Sequence, residues 1–67
     1  QAVICVPVTE NTELKKRDIV LCKVQGHYYL HLIHAIKNSS YLIGNNHGHM
    51  NGTIGRNCIY GKVTKIL

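Results

Sequence analysis

Five histidines in a 67-residue chain are the most unusual chemical feature of this sequence. His27, His31 and His34 fall in one apolar stretch, and His47 and His49 flank Gly48 in a glycine- and asparagine-rich stretch. A His-x-His pair can chelate a metal if a third ligand approaches, and His31 or Cys22 would be the nearest in kind. Two polar loop residues around a glycine account for His47 and His49 equally well, so no metal or other cofactor is expected. His31 is different, because a mid-strand imidazole among apolar neighbours needs a hydrogen-bond partner, either a backbone group or a reacting hydroxyl. The hydroxyls on offer are Thr9, Thr12, Ser39, Ser40, Thr53 and Thr64. Nucleophilic catalysis would require one of them within reach of a base, together with a donor for the oxyanion. Asn45, Asn46 and Asn51 carry amides able to orient such a base or to bind a ligand.

Three cysteines, Cys5, Cys22 and Cys58, cannot all pair within one chain, and none stands in a CxxC spacing. They read as buried free thiols in a reducing compartment, which places the protein in the cytoplasm. Eight Lys and Arg against three acids give a net charge of +5, which favours polyanions or acidic protein faces as partners. Only Lys15, Lys16 and Arg17 cluster, and a solvated turn or a phosphate contact would explain that trio. The apolar runs are far shorter than the ~20 residues of a membrane-spanning helix, so no span is expected. No secretory leader is visible, and Gln1 in place of a methionine reads as a processing boundary.

The elements that would position these groups follow a two-residue period. Segments 2–8, 18–24, 27–36, 41–43 and 58–67 are rich in β-branched and apolar residues and read as strands. Segment 27–36 is the longest, apolar on both faces, and therefore central. Gln25-Gly26 and Lys37 to Ser40 are tight turns, Thr9 to Lys16 is a loop or a single helical turn, and Gly61 suits a bulge. Segment 44–55, with four glycines and three asparagines, reads as a long functional loop. The chain lacks Trp and Phe, so a thin aliphatic core is expected, one that self-association would help. The expected fold is one all-β domain over residues 1–67, a small, partly closed barrel of five to six short strands.

In this order the segments resemble the catalytic β-domain shared by signal peptidases and LexA-type self-cleaving repressors. Its first box, Ser-Met-x-Pro-Thr-hydrophobic-x-x-Gly-Asp before a hydrophobic strand, is similar to Thr9 to Asp18 followed by Ile19, Val20 and Leu21. Its second, a strand carrying the general base, resembles Tyr29 to Ile33. Its third, a Gly-Asp-Asn loop before a Gly-x-Val strand, resembles Gly44-Asn45-Asn46 and Gly61-Lys62-Val63. The resemblance spans Thr9 to Val63. It puts Thr9 at the nucleophile, His31 at the base, Arg17 at the box glycine, and an amide, Asn45 or Asn51, at the acid. The threonine methyl crowds attack, and the Met-x-Pro surface is replaced by Glu10-Asn11-Thr12.

The resemblance therefore implies a degenerate, non-catalytic member of the family that binds a peptide or protein. Its cleft would lie between residues 9–13, His31 and 44–55. Asn45, Asn46, His47, His49, Asn51, Lys15, Lys16 and Arg17 would line or flank that cleft. Two alternatives stand beside it: a Thr9–His31 peptidase, and a basic β-barrel that binds nucleic acid. Either cleft reading expects Thr9 and His31 to converge.

Overall fold

The computed structural model describes residues 2–67, so the boundary read at Gln1 lies outside the described residues. Six strands follow in chain order: β1 (Val3–Pro7), β2 (Ile19–Val24), β3 (His27–Lys37), β4 (Ser40–Gly44), β5 (Met50–Gly55) and β6 (Ile59–Ile66). A single 3-10 turn, Arg56–Cys58, joins the last two. All pairings are antiparallel, in one sheet ordered β1-β6-β2-β3-β4-β5. Among the described residues no helix is long and apolar enough to cross a membrane.

The domain is all-β, as expected, but the barrel stays open: β1 and β5 are the sheet's two free edges. Pro7 at the end of β1 lacks a donor and so limits pairing along one edge. Strong curvature substitutes for closure. A Cβ on Gly52 of β5 would meet Cγ1 of Val24, on β2, at 3.2 Å, so the β5 edge curls over the end of β2. Four β-bulges bend and twist the sheet locally. Tyr60 and Thr64 on β6, His34 on β3 and Asn51 on β5 are each an extra residue opposite a shorter partner segment.

The alternation of β2 builds the core. Val20, Cys22 and Val24 point inward and are buried, joined by Ile33, Tyr41, Ile43 and Ile59, while Leu21 points outward. Each fully buried Val or Ile contributes about 1.5–3 kcal/mol relative to exposure, which suits an aliphatic core without Phe or Trp. The strand 27–37 is internal, as its apolar faces require, but the His34 bulge breaks its alternation. Ile33 pairs with Ile43 and Ala35 with Leu42, so a strict two-residue alternation does not run the length of the strand.

Turn chemistry follows residue type. Gln25 and Gly26 both take positive φ (51° and 83°), the type I′ geometry of a two-residue hairpin. Asn38 (φ 57°) turns the next hairpin. The long loop expected over 44–55 is corrected: Met50–Gly55 is strand β5, paired along β4, and the true loop is residues 45–49. The cysteine reading is corrected in part. All three thiols are free, yet only Cys22 is buried, Cys58 is half-buried and Cys5 is exposed.

Candidate binding site

Residues 9–18 leave the β1 edge and cross to β2, held by side chains distant in sequence. Arg56 donates to the carbonyls of Thr9 (2.8 Å) and Thr12, and Lys62 Nζ donates to the carbonyl of Glu13 (2.9 Å). Leu14 packs on the core beneath. Asp18 closes the segment: its Oδ2 accepts from the Lys15 amide at 2.8 Å and lies 3.4 Å from Lys62 Nζ. Arg17 donates its amide to Ile33 O (2.7 Å), and Ile33 donates back to Asp18 O (2.9 Å), extending the β2–β3 ladder.

Thr9 stands in a local turn. Its amide donates to Thr12 Oγ1 (2.9 Å), its hydroxyl lies 3.3 Å from that of Thr12, and it accepts from the Asn11 amide. It lines a concavity with Glu10, Arg56, Asn57 and Tyr60. His31 lines a different one, with Ile19, Leu30, Leu32, Asn45 and Asn46. Thr9 follows the edge strand and His31 sits on β3, with β6 and β2 between them. Three strand spacings amount to about 14 Å along the sheet. Neither side chain bonds to the other, so the expected cleft is divided into two concavities.

The imidazole of His31 stacks on Tyr29 (centroids 4.9 Å apart, 21° between planes) and its Nδ1 is 3.0 Å from the carbonyl of Leu30. A carbonyl only accepts, so Nδ1 is the donor in this contact. His34 donates instead from Nε2, to Asn45 O at 2.7 Å. Asn45 organises its own loop: Oδ1 accepts from the amides of His47 (2.8 Å) and His49 (3.0 Å), and its amide donates to His49 O (2.9 Å).

His47 and His49 are exposed on this loop. Among the described residues no three His, Cys, Asp or Glu side chains gather as a metal site would require. Asn51 is set apart on β5, with a buried Oδ1 that has no hydrogen-bond partner among the described residues. Lys15 pairs with Glu13 at 3.7 Å on the surface, while Lys16 and Arg17 line a concavity with Leu32, His34, Asn46 and Gly48.

The structure thus brings His31, Asn45 and Asn46 together, with Lys16 and Arg17 next door, and places Thr9 elsewhere. The site's floor, Ile19, Leu30 and Leu32, escaped the sequence reading, although the apolar outward face of β3 was its signal. The concavity holds about 420 Å³, within the ~300–1,000 Å³ usual for ligand sites. Arg56 and Lys62 were missed because donation to carbonyls 44 to 49 residues away leaves no sequence pattern. Comparison with family models, with curated proteins and with solved structures finds no match for this chain.

Proposed function

We propose that this chain is a small non-catalytic binding module; because Thr9 and His31 do not converge, its site is not the cleft that the signal-peptidase/LexA-type resemblance implies. It takes a peptide segment of a protein partner, in a reducing compartment, in the concavity floored by Ile19, Leu30 and Leu32 and walled by Asn45 and Asn46. The observation that carries the reading is the apolar concavity of Ile19, Leu30 and Leu32 with Asn45 and Asn46 at its rim. Thr9 lines another concavity, and the Thr9 and His31 side chains each contact near neighbours in the chain instead of one another. A nucleophile and its base must share a hydrogen bond or one water, so this arrangement favours binding over cutting. An apolar floor with a few amides at its rim suits an apolar peptide side chain whose backbone is held by hydrogen bonds.

The test is selection from a random peptide library, followed by fluorescence polarisation. Selected peptides are expected to bind the wild type and Thr9→Ala alike. Leu30→Ser should weaken them about tenfold, the equivalent of about 1.4 kcal/mol. Peptide cleavage that disappears in both Thr9→Ala and His31→Ala would overturn the reading in favour of the peptidase.

A further inference from the structure

The apolar concavity and the cationic one share Leu32 and Asn46 and so adjoin one another. On one side of Leu32 lie Ile19 and Leu30; on the other lie Lys16 and Arg17. Neither of these cations belongs to an ion pair among the described residues. The acids nearest in the chain are engaged elsewhere, Glu13 with Lys15 and Asp18 with Lys62 and the Lys15 amide. The +5 net charge adds a long-range preference for an anionic ligand.

Arg17 supplies a second, independent observation. Its φ is 81°, a left-handed conformation that glycine adopts freely and a side chain adopts at a penalty. A long cation kept in a strained backbone position, beside a concavity, is the pattern expected where the side chain serves a ligand.

Resting on the peptide-binding reading above, we propose that the ligand is a peptide in which a carboxylate adjoins an apolar side chain. The apolar side chain fills the Ile19–Leu30–Leu32 concavity, and the carboxylate lies between Lys16 and Arg17. The carboxylate is that of an acidic side chain next in sequence, because neighbouring Cα atoms are only 3.8 Å apart. Arg17 can meet it in the two-pronged geometry of guanidinium and carboxylate.

The test uses fluorescein-labelled heptapeptides rich in Gly and Ser. One carries internal Leu-Glu with an amidated end, one Leu-Gln with the same end, one Ser-Glu with the same end, and one ends in Leu with a free carboxylate. Each is titrated into wild type, Leu30→Ser and the double variant Lys16→Ala/Arg17→Gly. Glycine accepts the conformation at position 17, so the double variant retains the fold. The Leu-Glu probe should bind wild type about tenfold more tightly than Leu-Gln, and more tightly than Ser-Glu or the Leu-terminal probe. The double variant should erase the Glu/Gln difference, and raising salt from 50 to 300 mM should narrow it.

Equal binding of Leu-Glu, Leu-Gln and Leu-terminal probes, all weakened by Leu30→Ser, would overturn the carboxylate inference and leave the peptide module standing. Failure of every probe to bind would overturn both. Tighter binding of a ten-nucleotide thymidine oligomer, lost in the double variant, would assign the cations to nucleic acid and overturn the inference as well.

Discussion

Gly44 ends β4 where the loop 45–49 folds back, and its replacement by alanine has a consequence that can be worked out from the coordinates. A Cβ there would lie 2.4 Å from the carbonyl oxygen of His49, and 3.1 Å from both the His49 carbonyl carbon and Met50 Cα. All three are backbone atoms, so no flexible side chain can swing away. To reach ordinary contact the loop must retreat by about 1 Å. It is tied at that point by the Asn45 amide donating to the same His49 carbonyl at 2.9 Å. Overpacking of this kind costs about 1–3 kcal/mol and a weakened hydrogen bond about 1 more, so Gly44→Ala should destabilise by about 2–4 kcal/mol. A 67-residue domain has roughly 3–10 kcal/mol in total. With a urea dependence of ~1 kcal/mol per molar, the midpoint should drop by about 2–4 M. Far-UV circular dichroism is the suitable probe, since the chain has no Trp. Peptide binding should weaken too, because Asn45 and Asn46 form the displaced wall. A midpoint within about 0.5 M of wild type would refute the close approach of the loop to Gly44.

Further outcomes follow from groups elsewhere in the sheet. Burial, with a smaller contribution from Cys58, pushes the Cys22 thiol up to about 11 from an ordinary value of 9.0. The native state therefore holds its proton while the unfolded chain releases it. Stability from this group is intact below pH 9 and declines by about 2–3 kcal/mol as pH rises to 11. Cys22→Val should abolish that part of the slope in urea midpoints measured from pH 8 to 11, and an unchanged slope would count against the buried thiol. Arg56→Leu leaves the carbonyls of Thr9 and Thr12 without their donor, with an expected loss of about 2–3 kcal/mol and faster proteolysis within residues 9–18. An unaltered cleavage rate would show that the segment is held by other contacts. Arg17→Gly should stay within about 1 kcal/mol of wild type, while Arg17→Val should lose about 1–2 kcal/mol. Equal stability of the two variants would rule out the left-handed backbone at position 17.

Five of the six strands were legible in the sequence because residue type and period agree in them. Val20, Cys22 and Val24 alternate with polar or outward residues, and Gln25-Gly26 marks the hairpin that follows. β5 was not legible. Met50-Asn51-Gly52-Thr53-Ile54-Gly55 has the composition of a loop, and its extended form comes from the partner, through pairs such as Tyr41 with Ile54 and Leu42 with Thr53. The site was half legible. His31 and the Asn45-Asn46 pair were singled out and do share a concavity, whereas Thr9 was joined to them through the order of family boxes, which carries no distance. The bulges were hidden for a similar reason. Only at Gly61 did residue type hint at one, and the extra residue there is its neighbour Tyr60. That residue reaches Tyr28 on the outer face, with ring centroids 5.9 Å apart.

The pairing of β1 with β6 also sets an order of events during synthesis. Strands β2 to β5 are consecutive hairpins and can assemble as they emerge from the ribosome. β1 is made before them, yet its only partner in the sheet is β6, with Val3 opposite Ile66. Joining β1 to β6, some 60 residues later in sequence, carries about 2–3 kcal/mol more closure entropy than a four-residue hairpin. At ~5–20 residues per second, Val3 to Val6 therefore wait several seconds as an uncharged apolar segment without a partner. Of the six strands, the one translated first is therefore the last secured, and until β6 emerges its edges stay open to other pairing.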